Sequence, residues 1–335
     1  TRVRSSAASD VYKRQNQGWS SKKNSEKATA KAKCTVNKNI TLYAVQKKAV
    51  QLTFHRCDGS TWQKTTLAKG SSYSLPGVRD AEGYTFMGWS TKPMQSVSPQ
   101  YEAEEKITVN GNVDLYAVVF NRTTETDLTE DQLPQVDIYK YKQVIFVGDS
   151  RTEFMENVLT GMGESATKNV KFVCSAGKGL DWFTTTGWAQ LYSIVQHDSN
   201  SILSKKTAVI FNFGVNDLSK SADYAEYYNW IAPQLKSKGC ELYFMSVNPV
   251  NRLMLPNAGR ADRSEAAVRS FNQYMKANLS SAYTYIDMYS YLKSTGYSFA
   301  SDHYGTGTVD DGLHYTTRTY KRIFAKCMDS LRVPA

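Results

Sequence analysis

A chain of 335 residues has room for two domains with separate cores, and its 41% hydrophobic and 12% aromatic content fits a folded chain. No run approaches the roughly 18 consecutive apolar residues of a membrane-spanning helix, so no transmembrane segment is expected. The net charge of +10 does not mark a nucleic-acid binder, because it lies wholly in residues 1–48, where 12 Lys/Arg face only Asp10 and Glu26.

The chain opens without Met and without the apolar core of a signal peptide. Residues 1–15 match nothing downstream and are expected to be a non-native or disordered start, the true amino terminus and its signal peptide lying outside the sequence. The basic arm reads as a solvated face, with contact to anionic wall polymers as the functional alternative. Cys34, Cys57, Cys174, Cys240 and Cys327 are scattered and odd in number, with no CxxC or Cys/His cluster at zinc spacing. Neither a disulfide framework nor a metal site is expected.

An internal repeat follows. Gly18 to Val45 begins Gly-Trp-Ser and ends Leu-Tyr-Ala-Val, and Gly88 to Val118 does the same. Residues 16–47 read as a truncated copy and 48–120 as a complete one. Strands are expected over Val50–Phe54, Tyr84–Trp89 and Asp114–Phe120, between Asp-Gly, Lys-Gly and Asn-Gly turns. YTFMGWS and VDLYAVVF resemble the internalin-type B repeat of bacterial surface proteins, a small β-rich, β-grasp-like module. The resemblance implies a spacer or adhesive part of a secreted protein, in contact with cell-wall polymers. Trp89 and Tyr116 read as strand aromatics of its core, a glycan platform being the alternative.

Residues 121–138 are polar and acidic and read as a linker. Over 139–335 the pattern changes to apolar runs (VIFVG, VKFVCS, AVIFNFG, LYFMSVNPV, YTYIDM) alternating with helical stretches. In SEAAVRSFNQYMKANL, Val268, Phe271, Met275 and Leu279 share one face. Continuous apolar strands between helices imply an α/β class, a three-layer α/β/α domain around a parallel sheet. Such sheets bind ligands beyond the carboxyl ends of their strands. There the sequence places Gly148, Asp149 and Ser150, then Gly177 and Gly179, then Gly214, Asn216 and Asp217, and last Asp311 and His314 before a helix capped by Thr316 or Thr317.

GDS, a glycine after the second strand, GxND and DxxH, in that order, resemble the four blocks of the SGNH (GDSL-like) hydrolases. The resemblance implies a flavodoxin-like fold and a serine esterase, with Ser150 as nucleophile. Of four histidines, His55 lies in the repeat, His197 at a helix end, and His303 has Asp302 beside it but no helix start to fix it. His314 remains as the base, with Asp311 three residues earlier to orient it and Asp310 as a solvated neighbour. The oxyanion donors implied are the N–H groups of Ser150 and Gly179 and the side-chain amide of Asn216, Gly177 being the alternative to Gly179. A side chain at 179 is expected to crowd the acyl oxygen. Asp149 is expected to bond the backbone of the turn.

Three positions depart from common patterns. Arg151 stands where the family name has Leu, Lys178 separates the two glycines, and Thr152 rules out GxSxG. The expected activity is hydrolysis of short acyl esters, acetyl first, on extracellular or cell-wall glycans, with no metal or organic cofactor. Trp182, Phe183 and Trp188 offer surfaces for sugar rings or for the core. The alternatives are a lipase or acyltransferase using Leu253, Met254 and Leu255 as an acyl pocket, and a non-catalytic adhesion protein.

Overall fold

The computed structural model describes residues 14–25, 27–29, 39–196, 205–255, 262–299 and 311–332. The expectations for the first residues, Cys34, His197, His303 and Asp310 therefore lie outside the described residues. Two compact units emerge: residues 1–76, 88–95 and 100–118 form one, and 77–87, 96–99 and 119–335 the other.

Among the described residues, seven strands cover the repeat region: β1 (Arg14–Ser20), β2 (Tyr43–His55), β3 (Thr61–Ala68), β4 (Ser71–Ser74), β5 (Tyr84–Ser90), β6 (Lys106–Val109) and β7 (Val113–Asn121). The main sheet runs β1-β2-β7-β5 with β3 also on β2, and β4 pairs with β6. Both Gly-Trp-Ser strands lie beside their own Leu-Tyr-Ala-Val strand. Trp19 faces Ala44 in the first copy, and β5 neighbours β7 in the second. β2 runs unbroken through the boundary at 47/48, because Lys47 and Lys48 are exposed and cost the strand nothing there. Beyond them Val50, Leu52 and Phe54 alternate inward, as a half-buried strand requires. Phe54 meets Trp89 with ring centroids 4.8 Å apart, and Trp89 donates its indole N–H to Pro76 O at 2.8 Å. Trp89 is thus a core residue, whereas Tyr116 stacks on His55 at 4.5 Å.

The second unit carries strands β8 (Tyr141–Gly148), β9 (Val170–Cys174), β10 (Lys206–Asn212), β11 (Cys240–Met245) and β12 (Tyr283–Ile286). Its helices are α1 (Ser150–Met162), α2 (Glu164–Thr167), α3 (Leu180–Trp182), α4 (Trp188–Gln196), α5 (Ser221–Lys236), α6 (Glu265–Asn278), α7 (Met288–Thr295) and α8 (Thr317–Ser330). The sheet order is β12-β11-β10-β8-β9 and every pairing is parallel. Counted within the unit this is 2-1-3-4-5, the flavodoxin-like order.

Val144 to Val147 are all fully buried, because helices cover both faces of the sheet. Ile145, Val147, Val209 and Phe211 point into a core built with α4, α5 and α6. Phe146 points the other way, towards Phe324 of α8 at 5.8 Å. Ser264 caps α6 by accepting the Ala267 N–H, and Val268, Phe271 and Met275 are buried, while Leu279 falls just past the helix end. Thr316 caps α8.

Residues 121–138, expected as a linker, pack within this second unit. Glu125 is 6% exposed, pairs with Arg322 at 3.0 Å and accepts from Ser298 Oγ at 2.6 Å. Lys321 bonds Leu128 O at 2.6 Å, and Leu133 and Val136 are buried. Among the described residues no helix is long and apolar enough to cross a membrane.

Candidate active site

Strand order reverses between β8 and β9 on one side and β10 on the other, which opens a crevice at the carboxyl ends. β8 enters it on Gly148, where a Cβ would lie 2.0 Å from Thr152 Oγ1 and 2.8 Å from Asn212 O. Asp149 then caps α1, its carboxylate accepting the Arg151 N–H at 3.0 Å. Burial lifts the Asp149 carboxyl to about 6, against the opposing pull of Arg151. Ser150 is the first residue of α1, at the positive end of the helix.

His314 arrives from the turn before α8. Asp311 Oδ1 accepts the backbone N–H groups of Leu313 at 2.9 Å and His314 at 2.8 Å. Its Oδ2 lies 2.6 Å from His314 Nδ1, and His314 Nε2 lies 2.8 Å from Ser150 Oγ. With Nδ1–H donated to the carboxylate, Nε2 keeps its lone pair and accepts the serine hydroxyl. Burial pushes the Asp311 carboxyl up, but the hydrogen bond and charge of His314 and the two backbone donors pull it below its ordinary value. Gly312 takes φ +65°, and a Cβ there would meet Asn251 O at 2.4 Å, so the turn is held tightly. Phe154, one turn along α1 from Ser150, sets its ring edge against the imidazole with centroids 4.3 Å apart.

Arg151, the departure from the family name, is 2% exposed. Its guanidinium donates to Leu313 O at 3.1 Å, Asn248 O at 3.0 Å and Pro249 O at 2.9 Å. One side chain thereby ties the nucleophile helix to the histidine turn and to the loop after β11.

Gly179 has extended backbone at φ −140°, and a Cβ on it would lie 2.3 Å from Asp217 Oδ2. A protein carboxylate alone therefore demands glycine at this position. Asp217 accepts the Leu180 N–H at 2.9 Å and the Tyr224 hydroxyl at 2.7 Å, and burial raises its carboxyl. Gly177, the alternative, has φ +69° and open space about its Cβ position. Asn216 links the second and third blocks, with Nδ2 donating to Lys178 O at 2.8 Å. Its Oδ1 accepts from Arg263 at 2.8 Å, and Arg263 Nε donates to Val215 O at 3.1 Å. Sequence reasoning missed Arg263, which belongs to no block and no apolar period.

Phe183 is fully buried between Phe211 and Phe213, and Trp182 and Trp188 pack partly buried on the same core. Leu255 also belongs to that core, and the Met254 Cβ sits 2.7 Å from the Cβ position of Gly312. Among the described residues no group of three or more His, Cys, Asp or Glu is placed to hold a metal ion.

A flavodoxin-like sheet with a serine at the first strand–helix turn and a histidine before the last helix defines an SGNH-type hydrolase domain. A family model for the GDSL-like lipase/acylhydrolases matches residues 144–327, and the chain belongs to that family. A second family model, the Listeria-Bacteroides repeat domain, matches residues 51–118. Among solved structures the chain is similar to an acetyl xylan esterase, AlAXEase, at 12% identity and TM-score 0.38, over 56% of this chain and 99% of that one. A putative SGNH hydrolase from Slackia heliotrinireducens aligns at 12% identity and TM-score 0.35, over 57% and 100%. The catalytic domain of peptidoglycan O-acetyltransferase A from Streptococcus pneumoniae aligns at 16% identity and TM-score 0.34, over 58% and 94%. No curated protein matches the chain.

Proposed function

We propose that the protein is a secreted or cell-surface serine esterase that removes short acyl groups, acetyl first, from extracellular or cell-wall glycans. The observation that carries the reading is the unbroken hydrogen-bonded chain from Ser150 through His314 to Asp311. Ser150 Oγ attacks the ester carbonyl while His314 Nε2 takes the hydroxyl proton. His314 then returns that proton to the departing alcohol, leaving an acyl-serine. Water, activated by the same imidazole, attacks the acyl-serine; the acid departs and Ser150 recovers its proton. Asp311 holds the ring in the required tautomer and balances the imidazolium charge.

The oxyanion is assigned to the N–H groups of Ser150 and Gly179 and to the Asn216 amide. Asn216 Nδ2 carries two hydrogens, and Lys178 O engages one. No metal or organic cofactor is needed for these steps. The short-acyl preference is supported by Leu255, which is buried in the core and so is not part of an exposed apolar cover. The extracellular setting rests on the repeat region, which has the character of a surface module.

Hydrolysis of p-nitrophenyl acetate, butyrate and octanoate tests the reading, with kcat/KM expected to fall in that order. Acetate release from acetylated xylan and from O-acetylated peptidoglycan then separates the two glycan classes. Ser150→Ala and His314→Ala should each abolish turnover in a folded protein. A maximum at octanoate would move the assignment to a lipase, and residual full activity in Ser150→Ala would end it.

A further inference from the structure

We infer that Arg263 is a positioning residue for ester hydrolysis, acting by holding the Asn216 amide with its donor side towards the reacting carbonyl. The inference rests on Asn216 serving as an oxyanion donor. A primary amide is nearly symmetric in shape, and rotating it by half a turn replaces a donor with an acceptor. At an oxyanion that exchange turns an attraction into a repulsion, so the site needs something that distinguishes the two ends of the side chain.

Two contacts make that distinction. Lys178 O receives Nδ2–H at 2.8 Å, and the Arg263 guanidinium donates to Oδ1 at 2.8 Å. A flipped amide would set oxygen against the carbonyl of Lys178 and N–H groups against a cation, so both bonds would be lost together. The Arg263 bond is charge-assisted and is therefore the stronger of the two. It also draws electron density from the amide, which makes the remaining N–H a better donor.

The fork geometry matters as much as the charge. Arg263 reaches Asn216 Oδ1 through one terminal nitrogen and Val215 O through Nε at 3.1 Å, two acceptors on consecutive residues. It thus fixes the side chain and the backbone that carries it. A lysine ammonium in the same place keeps the charge but offers no planar pair of donors. Arg263 stands just before Ser264, the cap of α6, so a rigid element anchors the fork.

The test uses the full chain with p-nitrophenyl acetate and compares wild type, Arg263→Lys, Arg263→Gln, Asn216→Ala and the double variant Asn216→Ala/Arg263→Lys. Rates are normalised to active sites titrated with a serine-reactive phosphonate, so loss of folded protein does not enter kcat. Both Arg263 variants should lower kcat by about 10- to 100-fold with KM changed less than about twofold, the scale for a misplaced catalytic group. On the Asn216→Ala background, Arg263→Lys should cost less than about twofold more, because the group it positions is gone. Inhibition by a methylboronic acid adduct, a tetrahedral mimic, should weaken in parallel with kcat/KM.

If Arg263→Lys and Arg263→Gln keep kcat within about twofold while Asn216→Ala loses it, the inference fails and the oxyanion assignment stands. Full activity in Asn216→Ala would overturn both. A loss for Arg263→Lys that adds in full to that of Asn216→Ala would also overturn the inference, since the arginine would then act elsewhere.

Discussion

Gly179→Ala puts a single methyl group where the site has no room. The new Cβ would lie 2.3 Å from Asp217 Oδ2, 2.7 Å from its Cγ and 2.9 Å from Oδ1, so the carboxylate must retreat by about 1 Å to reach ordinary contact. That carboxylate holds the Leu180 N–H at 2.9 Å and the Tyr224 hydroxyl at 2.7 Å, and a retreat of this size breaks both. Hydrogen bonds to charged groups contribute about 1.5–3 kcal/mol each, and Asp217 is partly solvated, so the expected loss is about 2–5 kcal/mol. For a domain of this size that lowers Tm by roughly 5–15 °C. The Gly179 N–H moves with the turn, and kcat should fall by about 10²–10³ in the folded fraction. Gly177→Ala is the control: φ is +69°, its Cβ position is open, and the cost is only the roughly 1–2 kcal/mol of a left-handed alanine. Differential scanning fluorimetry and active-site-normalised kcat on p-nitrophenyl acetate read both variants. Wild-type Tm and kcat in Gly179→Ala would refute the reasoning, and loss of kcat in Gly177→Ala alone would transfer the donor role to Gly177.

Asp311→Asn should lower kcat by roughly 10³–10⁴ with little change in KM, because an amide no longer selects the tautomer that leaves Nε2 free. The Asp149 carboxyl sits near 6 in the fold and near 3.9 unfolded, so between those values the folded state keeps a proton that the unfolded state has released. Stability from this group therefore falls as pH rises from about 4 to 6, by on the order of 3 kcal/mol. Asp149→Asn keeps a competent cap and should lose that slope in urea titrations at pH 4, 5, 6 and 7; parallel curves for the two proteins would be the contrary result. Glu125→Ala leaves Arg322 buried without its carboxylate and should cost about 3–5 kcal/mol by urea unfolding. A protein shortened to begin at residue 136 should show at least the same loss, and equal stability to the full chain would contradict the packing described.

The blocks around Ser150 and Asn216 were legible because they fall just past β8 and β10, where no apolar period constrains the residues, and Asp311–His314 because it stands just before the last helix. The sheet was legible because runs such as VIFVG are apolar at every position, as burial on both faces demands. Glu125 was not legible. Polar composition reads as solvated, yet this carboxylate is buried by an arginine 197 residues away, which no local window contains. The crowding of Gly179 by Asp217 was hidden in the same way: glycine signals a close approach but does not say by which side chain. Arg263 carried no signal, since its partner lies 47 residues earlier and its spacing from α6 matches no motif.

Residues 77–87 sit within the span of the repeat but belong to the second unit, and this sets a timetable for synthesis. The first unit's residues have all been made by Val118, so it can close while the rest is still being translated. Asp80 must wait. It meets Arg122 at 2.6 Å soon afterwards, but Asn251, its partner at 2.7 Å, follows 171 residues later. At about 5–20 residues per second that interval is roughly 10–30 s. Met87 waits longer still for Lys293, which donates to its carbonyl at 2.8 Å. A segment whose strand already pairs with β7 and whose Asp80 already holds Arg122 thus completes its last hydrogen bonds, to Asn251 and Lys293, only when the second unit is nearly finished.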